Sequence, residues 1–535
     1  MYGRHFSEST TNTISRCITF GVRCGGYQTT LSRTHLETSN ILLSTRLLQS
    51  YQTESPRELR ALEYYLLKVA PRMNGYYHKS LWSERIPALS LREPAIRSAL
   101  IAFSALYELH LSTDENLSLP EEARTFAIES YNQAIRKLVP QLESENMRIP
   151  LTMCLIFSCI ETVRGLVDAA LNHLRAGLRL MVLWRARYTT AITTGCTSEL
   201  YTDFDFIENT ISPVFGWLST MMRYYGEDVP SKKELFTPPR LPSIPSSPEP
   251  MLSGTIQNLD DIATNLAILA SRAVEFAYSF GKLAHSEEPD IETLIQHRDL
   301  ILSFEAWTSF FHRRLQEHGY TDQHEYAPAK VMIAGHRATQ IWIQGYFYNR
   351  ETQWDHAKEH FETIVQLLEE SIGDPNRWVD QYSKFFSFEP GYAATLHFVI
   401  SKCRWPGIRR RALRILRACP RRESMFDSLT LLTLYERVME IEESGIAGLK
   451  GQEPTNEQLP PEKSRIHNIE IAPLPRTVRG HTVNFYFQSF SDLPVRAEFL
   501  DLKSNWLAKC MQKGWTCYEG QHMSQGEQLQ IVDPL

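Results

Sequence analysis

Apolar positions recur at helical spacing from about residue 57 onward. Leu62, Tyr65, Leu66 and Val69 fall at i, i+3, i+4 and i+7, which places them on one face of a helix. After a break beyond Pro71, Pro94 stands where a helix accepts proline, at its first residue, and Ile96, Leu100, Phe103 and Leu106 share a face behind it. The segment PEEARTFAIESYNQAIRKLVPQL carries glutamates in its first turn and Arg136 and Lys137 near its end, the polarity a helix dipole favours. Its expected apolar stripe is Phe126, Tyr131, Ile135 and Leu138. Residues 149–164 and 166–187 predict a helical hairpin hinged on Gly165, with Leu151, Leu155, Cys159 and Val163 facing Leu171, Leu174, Leu178 and Met181. The same texture returns over 259–280, 331–346, 360–370 and 392–443.

Interruptions divide this pattern. Residues 1–56 are about a third Ser and Thr with little periodicity, and such a segment cannot bury enough apolar area to offset its ordering entropy, so it is expected to be disordered. Residues 227–254 hold seven prolines and several serines, the composition of a surface loop or linker. Over 466–489, Val483, Phe485 and Phe487 alternate with Thr482, Asn484, Tyr486 and Gln488, which predicts a small β-hairpin. The expected organisation is therefore a disordered 1–56, a first helical block over 57–226, a Pro/Ser-rich loop over 227–254, a second helical block over 255–450, and a C-terminal segment over 451–535 with the hairpin. The fold class is all-α, built from antiparallel helical hairpins.

Composition narrows the function. At 43% hydrophobic and 22% charged residues the chain reads as an ordinary globular protein. Its formal net charge of -6 argues against binding nucleic acid over the whole surface, so any DNA contact must be local. The nine cysteines are scattered, with no CxxC pair, which fits a reducing compartment. The apolar run Ala99 to Leu111 is too short for a membrane span and contains Glu108 and His110. The start MYGRHFSESTTNT lacks an apolar core behind basic residues, so no secretory signal is expected there.

Phosphate loops, dinucleotide fingerprints, nucleophile elbows and kinase signatures do not occur. The run HAKEH matches HxxEH, in which His356 and His360 ligate zinc, Glu359 acts as general base, and a further ligand such as Glu436 completes the site. The plainer reading leaves these histidines beside the buried stripe Phe361, Ile364, Val365 and Leu368. The basic run RWPGIRRRALRILRACPRR could serve as an import or phosphate-attracting element, yet Ile408, Ala412, Ile415 and Leu416 thread it at helical spacing. A solvated basic face on a buried helix is the favoured reading. Trp82, Trp217, Trp342 and Tyr346 read as core residues before pocket linings, and Cys154 and Cys159 as small buried hydrophobes.

One stretch points further. In CITFGVRCGGY, six residues separate Cys17 from Cys24, and Gly25, Gly26 and Tyr27 follow. Behind it come, in order, ALEYYLLKVAPRMNGYYHKSLW, EPAIRSALIAFSALYE, FAIESYNQAIRKL, LIFSCIETVRGLVDAALNHLRAGLRLM and SKCRWPGIRRRALRILRACPRRESMFDS. With that succession the chain resembles the fungal-specific zinc-cluster transcription factors with a long helical regulatory domain. The resemblance implies that Cys17 and Cys24 are the fifth and sixth ligands of a six-cysteine binuclear zinc cluster that reads CGG-like triplets in the major groove. The position of the fourth ligand holds Ile14, and no cysteine lies upstream. Two thiolates cannot hold two zinc ions, each of which takes about four ligands.

Two origins fit this departure: Met1 to Ser15 is translated non-coding sequence joined to a genuine coding end, or the chain is a regulator that has lost its DNA-binding module. Either way no zinc is expected on the chain as it stands, and DNA is a partner only through an intact cluster. The resemblance further implies a non-enzymatic nuclear protein regulating RNA polymerase II transcription of a metabolic or secondary-metabolite gene set. Its partners would be other regulators or a second copy, with a small-molecule effector acting on the helical domain and no membrane. The alternatives are a DNA-independent helical scaffold and, more remotely, a zinc hydrolase using His356, Glu359 and His360.

Overall fold

In the computed structural model, residues 55–73, 81–112, 121–142, 146–194, 203–204, 206–224, 266, 269–277, 289–318, 323–348, 350–372, 386–388, 391–419, 422–423, 426–449, 452–471, 481–487 and 495–500 are described, together with Tyr51. The chain divides into two units, Met1–Gln52 and Thr53–Leu535. The described residues belong to the second, apart from Tyr51. The expectations for residues 1–50 and for the Pro/Ser-rich stretch 227–254 lie outside the described residues.

Helix α1 (Pro56–Tyr64) starts on Ser55, whose hydroxyl accepts the Glu58 N–H, with Pro56 at the first helical position. It runs on through a π turn (Tyr65–Val69) into a last turn (Ala70–Met73), and Leu62, Tyr65, Leu66 and Val69 are all buried. A second π turn (Leu81–Arg85) leads to the short α2 (Ile86–Ser90). Helix α3 (Pro94–Ser112) begins at its proline and buries Ile96, Leu100 and Phe103. Helix α4 (Glu121–Leu138) packs along α3 and continues into a 3-10 turn (Val139–Gln141). Its buried face is a correction to the expected stripe: Ala127, Ser130 and Ala134 face inward, and Ile135 is exposed. Those three small side chains allow close approach of two helices.

The hairpin centred on Gly165 forms from α5 (Arg148–Val163) and α6 (Val167–Thr194). Gly165 has φ +75°, its N–H donates to the Thr162 carbonyl, and the Leu166 N–H donates to the Glu161 carbonyl. This pair of bonds closes the carbonyl end of α5 with a left-handed residue that only glycine adopts without strain. All eight apolar residues expected to face each other are buried. Buried Glu161 adds a polar tie, accepting from the Tyr131 hydroxyl of α4 and from Arg164. A π turn (Ile207–Ile211) and α7 (Ser212–Tyr224) close the first block, with Arg185 of α6 bonded to Glu208.

In the second block residues 269–277 are helical, as the texture over 259–280 predicts, and α8 (Ile291–His318) and α9 (Gln323–Gln344) follow. Leu300, Phe304, Trp307 and Phe311 line one face of α8 and meet Met332, Ile333 and Ile343 of α9. His336 sits between the Phe304 and Trp307 rings, where burial pushes its imidazole down to about 3 and keeps it neutral. A 3-10 turn (Glu351–Ala357) precedes α10 (Lys358–Ile372), and α11 (Ala393–Lys402), α12 (Pro406–Ala418) and α13 (Ser428–Glu443) complete the helices. Helices make up 79% of the described residues, which fixes the class as the expected all-α.

Two three-stranded sheets are added. In the first, β1 (Phe386–Ser387) pairs in parallel with β2 (Arg422–Glu423), which pairs antiparallel with β3 (Phe426–Asp427). It joins the two blocks: Arg422 donates to the Thr162 carbonyl at the end of α5 (2.7 Å), and the Tyr107 hydroxyl of α3 donates to the Phe386 carbonyl (2.9 Å). In the second, β4 (Asn468–Ile471) and β5 (His481–Tyr486) form the expected hairpin, with Val483 and Phe485 buried. A third strand, β6 (Val495–Leu500), extends it into an antiparallel meander that the alternation over 466–489 did not include.

Candidate functional site: an arginine-rich helix held by buried carboxylates

The basic run of the sequence starts at Arg404, in the link after α11, and continues along α12. Pro406 takes the first helical position, where a missing N–H costs nothing, and Ile408, Ala412, Leu413, Ile415 and Leu416 bury the apolar face. Arg404 and Arg409 are buried with them, and a guanidinium in that setting requires carboxylates within reach. Glu442, fully buried in the last turn of α13, supplies them. One oxygen accepts from Arg409 Nη1 at 2.5 Å. The other accepts from Arg404 Nη2 at 2.9 Å and from the Ile466 N–H at 2.8 Å.

The network extends toward the C-terminal segment. Arg404 donates to the Ile466 carbonyl at 2.8 Å, and its Nη1 lies 2.8 Å from Glu351 Oε2. These two atoms are misaligned for a hydrogen bond, so the contact is an ion pair alone. The other Glu351 oxygen accepts from Lys402 Nζ at 2.7 Å and stands 3.0 Å from His467 Nδ1. Arg465 forks onto Asp355 at 2.8 and 2.7 Å, and Glu462 accepts the N–H groups of Glu351 and Thr352 at 2.9 and 2.8 Å. The segment Pro460 to Ile471 is thus fixed to α11, α13 and the turn before α10.

Burial alone would push the Glu351 carboxyl up, but Lys402, Arg404 and His467 outweigh it and hold it well below the usual carboxylate range. At Glu442 the same opposition of burial against Arg404 and Arg409 leaves the carboxyl lowered. These groups stay charged at neutral pH and have no proton to exchange there. The arrangement is a clamp, its buried carboxylates held by guanidiniums, a lysine and a backbone N–H.

The expected solvated basic face is present in part, with Arg414 and Arg417 exposed over the buried apolar side of α12. Besides the two sunken arginines, Arg410 pairs with Glu443, Arg411 bonds to both Glu362 and Glu369 of α10, and Arg417 bonds to Glu436. Five arginines of the run, Arg404, Arg409, Arg410, Arg411 and Arg417, are thus paired with carboxylates of this same chain. Partners of α12 include Glu362 and Glu369 on α10, and Glu436, Glu442 and Glu443 on α13. The signal for this pairing in the sequence is the glutamate content of the segments that become α10 and α13, close in length to α12.

The remaining candidates fall as follows. Cys17 and Cys24 lie outside the described residues. His356 belongs to the 3-10 turn and is exposed, Glu359 is exposed, His360 is half-buried on α10, and Glu436 is engaged by Arg417. Among the described residues no group of three or more His, Cys, Asp or Glu side chains could hold a metal ion. Trp82 is buried edge-on to Phe388, and Tyr346 is buried with its hydroxyl on the Ala277 carbonyl. Trp342 is half-buried against Tyr346, and the Trp217 side chain lies outside the description. Cys154, Cys159, Cys403 and Cys419 are free thiols, each pushed up by burial, Cys154 and Cys403 to about 12, and so unreactive. No helix among the described residues is long and apolar enough to cross a membrane.

Comparison with known proteins adds what geometry cannot. No solved structure matches the chain. The aspercryptin biosynthesis cluster-specific transcription regulator atnN of Emericella nidulans is 27% identical over 134 residues, a stretch covering 23% of this chain and 20% of that relative. The chain therefore aligns with about a fifth of the length of that regulator. Residues 60–224, from within α1 to the last residue of α7, match the family described as the fungal specific transcription factor domain.

Proposed function

We propose that this protein is a nuclear regulator of transcription whose helical body carries the regulatory function, acting on a metabolic or secondary-metabolite gene set. The observation that supports the reading is the match of residues 60–224 to the fungal specific transcription factor domain, which ends where the first helical block ends. The similarity to a regulator named for a biosynthesis cluster supports the kind of gene set.

DNA contact is assigned to an N-terminal zinc cluster and not to the basic run, in which Arg404, Arg409, Arg410, Arg411 and Arg417 pair with glutamates. Cys17 and Cys24 would be two of that cluster's thiolates. Two donors do not fit a pair of zinc ions, so no step of the reading is routed through zinc. The helical body is proposed to reach DNA through an intact cluster where one is present and otherwise through a partner regulator.

The test is a band-shift series with the purified chain on CGG-type sites, paired with transcript profiling and fluorescence localisation in a strain lacking or overproducing it. No specific shift, altered expression of a clustered gene set and nuclear fluorescence are expected. Unchanged transcripts on both deletion and overproduction would sink the reading. A salt-sensitive, sequence-specific shift would overturn its partner-dependent form.

A further inference from the structure

Helices α9 and α10 pack antiparallel, with Lys330 Nζ 2.9 Å from Glu370 at one end and Gly345 against the Trp354 ring at the other. That register brings Arg337 of α9 level with Glu362 and Thr363 of α10, one turn from His360. Glu362 is turned away to Arg411 of α12, and Glu359 is exposed. Arg337 is partly buried, and among the described residues no carboxylate pairs with it. Its Nε is out of water with no acceptor. Burial alone acts on the guanidinium and pulls it down. Arg148, Arg164, Arg185, Arg411 and Arg437 are partly or fully sunken too, and each has a carboxylate. A guanidinium keeps its charge, so sinking one without an anion has a cost that no group of the fold offsets.

A second donor is left over at the same junction. Trp307 of α8 is 3% exposed, its ring centroid lies 4.4 Å from that of His336, the residue before Arg337, and its Nε1 has no acceptor. His336 Nε2 is itself engaged by the Thr308 hydroxyl at 2.9 Å. His360 is half-buried and is pulled down by that burial and by Arg337, so the near neighbour on α10 is a further base and no counter-charge. Arg337 Nε and Trp307 Nε1 are both donors, and among the described residues of α8, α9 and α10 no orphaned acceptor accompanies them. What the junction lacks is an acceptor that carries negative charge. The guanidinium fork matches the planar oxygens of a carboxylate or the oxygens of a phosphate. We propose that Arg337 anchors an oxyanion-binding site where α8, α9 and α10 meet, taking a small ligand that bears a carboxylate or phosphate group.

The site goes beyond the proposed transcriptional role and does not rest on it, since it requires neither DNA nor a partner regulator. The test is the melting midpoint of the full chain against rising acetate, succinate and inorganic phosphate, up to roughly 50 mM at constant ionic strength held with chloride. Excluded anions raise any midpoint without binding, so the readout is the difference between wild type and Arg337→Gln. Wild type is expected to show an additional, saturable rise with half-saturation on the order of 1 mM, which suits a ligand of few atoms held by one fork. Arg337→Gln loses it, Arg337→Lys weakens it about tenfold by giving up the fork, and Arg414→Gln, a change at an exposed arginine, leaves it intact. Half-saturation at a lower concentration of phosphate than of the two carboxylates assigns a phosphate ligand, and the reverse order a carboxylate. Without added anion, Arg337→Gln melts at or above the wild-type midpoint, because it removes an uncompensated charge. The inference is overturned by a wild type that responds to none of the three anions beyond Arg337→Gln, or by an Arg337→Gln chain whose anion-free midpoint falls as it would on breaking a buried pair.

Discussion

At the scale of the residue, Glu442 carries the clearest consequence. Its carboxylate is fully buried between two buried guanidiniums, and removing it strands both. Glu442→Ala is therefore expected to lower stability by about 3–5 kcal/mol, whereas Arg417→Ala, which breaks a half-exposed pair with Glu436, costs less than about 1 kcal/mol. Urea melts of the two variants against wild type measure the difference; equal losses would mean that Glu442 is replaceable by water. Glu423 behaves oppositely. Burial pushes its carboxyl up to about 7, against the pull of the Ala393, Gly391 and Tyr392 N–H groups that its Oε2 accepts. A carboxyl raised in the fold adds stability below its unfolded value near ~4.3 and loses it as pH climbs toward 7. Glu423→Gln keeps an acceptor oxygen without the charge. Its stability relative to wild type is expected to improve from pH 5 to pH 8, and a flat difference across that range would refute the assignment. None of this was legible from the sequence, because burial of a charge depends on partners brought from 24 to 38 residues away.

At the scale of the element, much more was legible. The helices whose buried side chains are large and regularly spaced, α1, α3, α5 and α6, lie where periodicity places them. Helix α8 was not singled out, although Leu300, Phe304, Trp307 and Phe311 give it a regular buried face. Ile291, Leu294, Ile295 and Leu302 are exposed apolar residues on the same helix and blur the contrast between faces. The inner face of α4 was misread for the related reason that its small residues face inward. The turn at Gly165 shows how a local signal escapes this ambiguity, since a positive φ is demanded by the closing bonds themselves. A Cβ there would meet only the Arg422 guanidinium at 3.7 Å, an ordinary contact. The expected loss for Gly165→Ala is therefore backbone strain of about 1 kcal/mol, with Gly165→Asn costing less because asparagine tolerates the left-handed region. Thermal melts ranking the two substitutions in the other order would place the penalty in side-chain packing instead.

At the scale of the whole molecule, the two helical blocks are stitched by bonds that span most of the described chain. The Tyr107 hydroxyl on Phe386 and Arg422 on the Thr162 carbonyl connect residues 279 and 260 positions apart. Arg422 also reaches Asp427, whose own carboxylate caps α13 through the Thr430 N–H, so one guanidinium couples the end of α5 to the start of α13. A cation at the carbonyl end of α5 is favourably placed against its dipole. The family match stops at residue 224, yet Tyr107 and Thr162 within it bond to Phe386 and Arg422 beyond it. Folding of the first block should then draw on the second, and chemical unfolding of the full chain is expected to be a single cooperative transition. Tyr107→Phe combined with Arg422→Met removes the polar stitches while keeping the volume. The double variant should separate the transition into two, detectable as non-coincidence between tryptophan fluorescence and far-ultraviolet circular dichroism. If instead the two probes stay coincident and the midpoint merely falls, the apolar contacts around Trp82 and Phe388 are sufficient to hold the blocks as one unit.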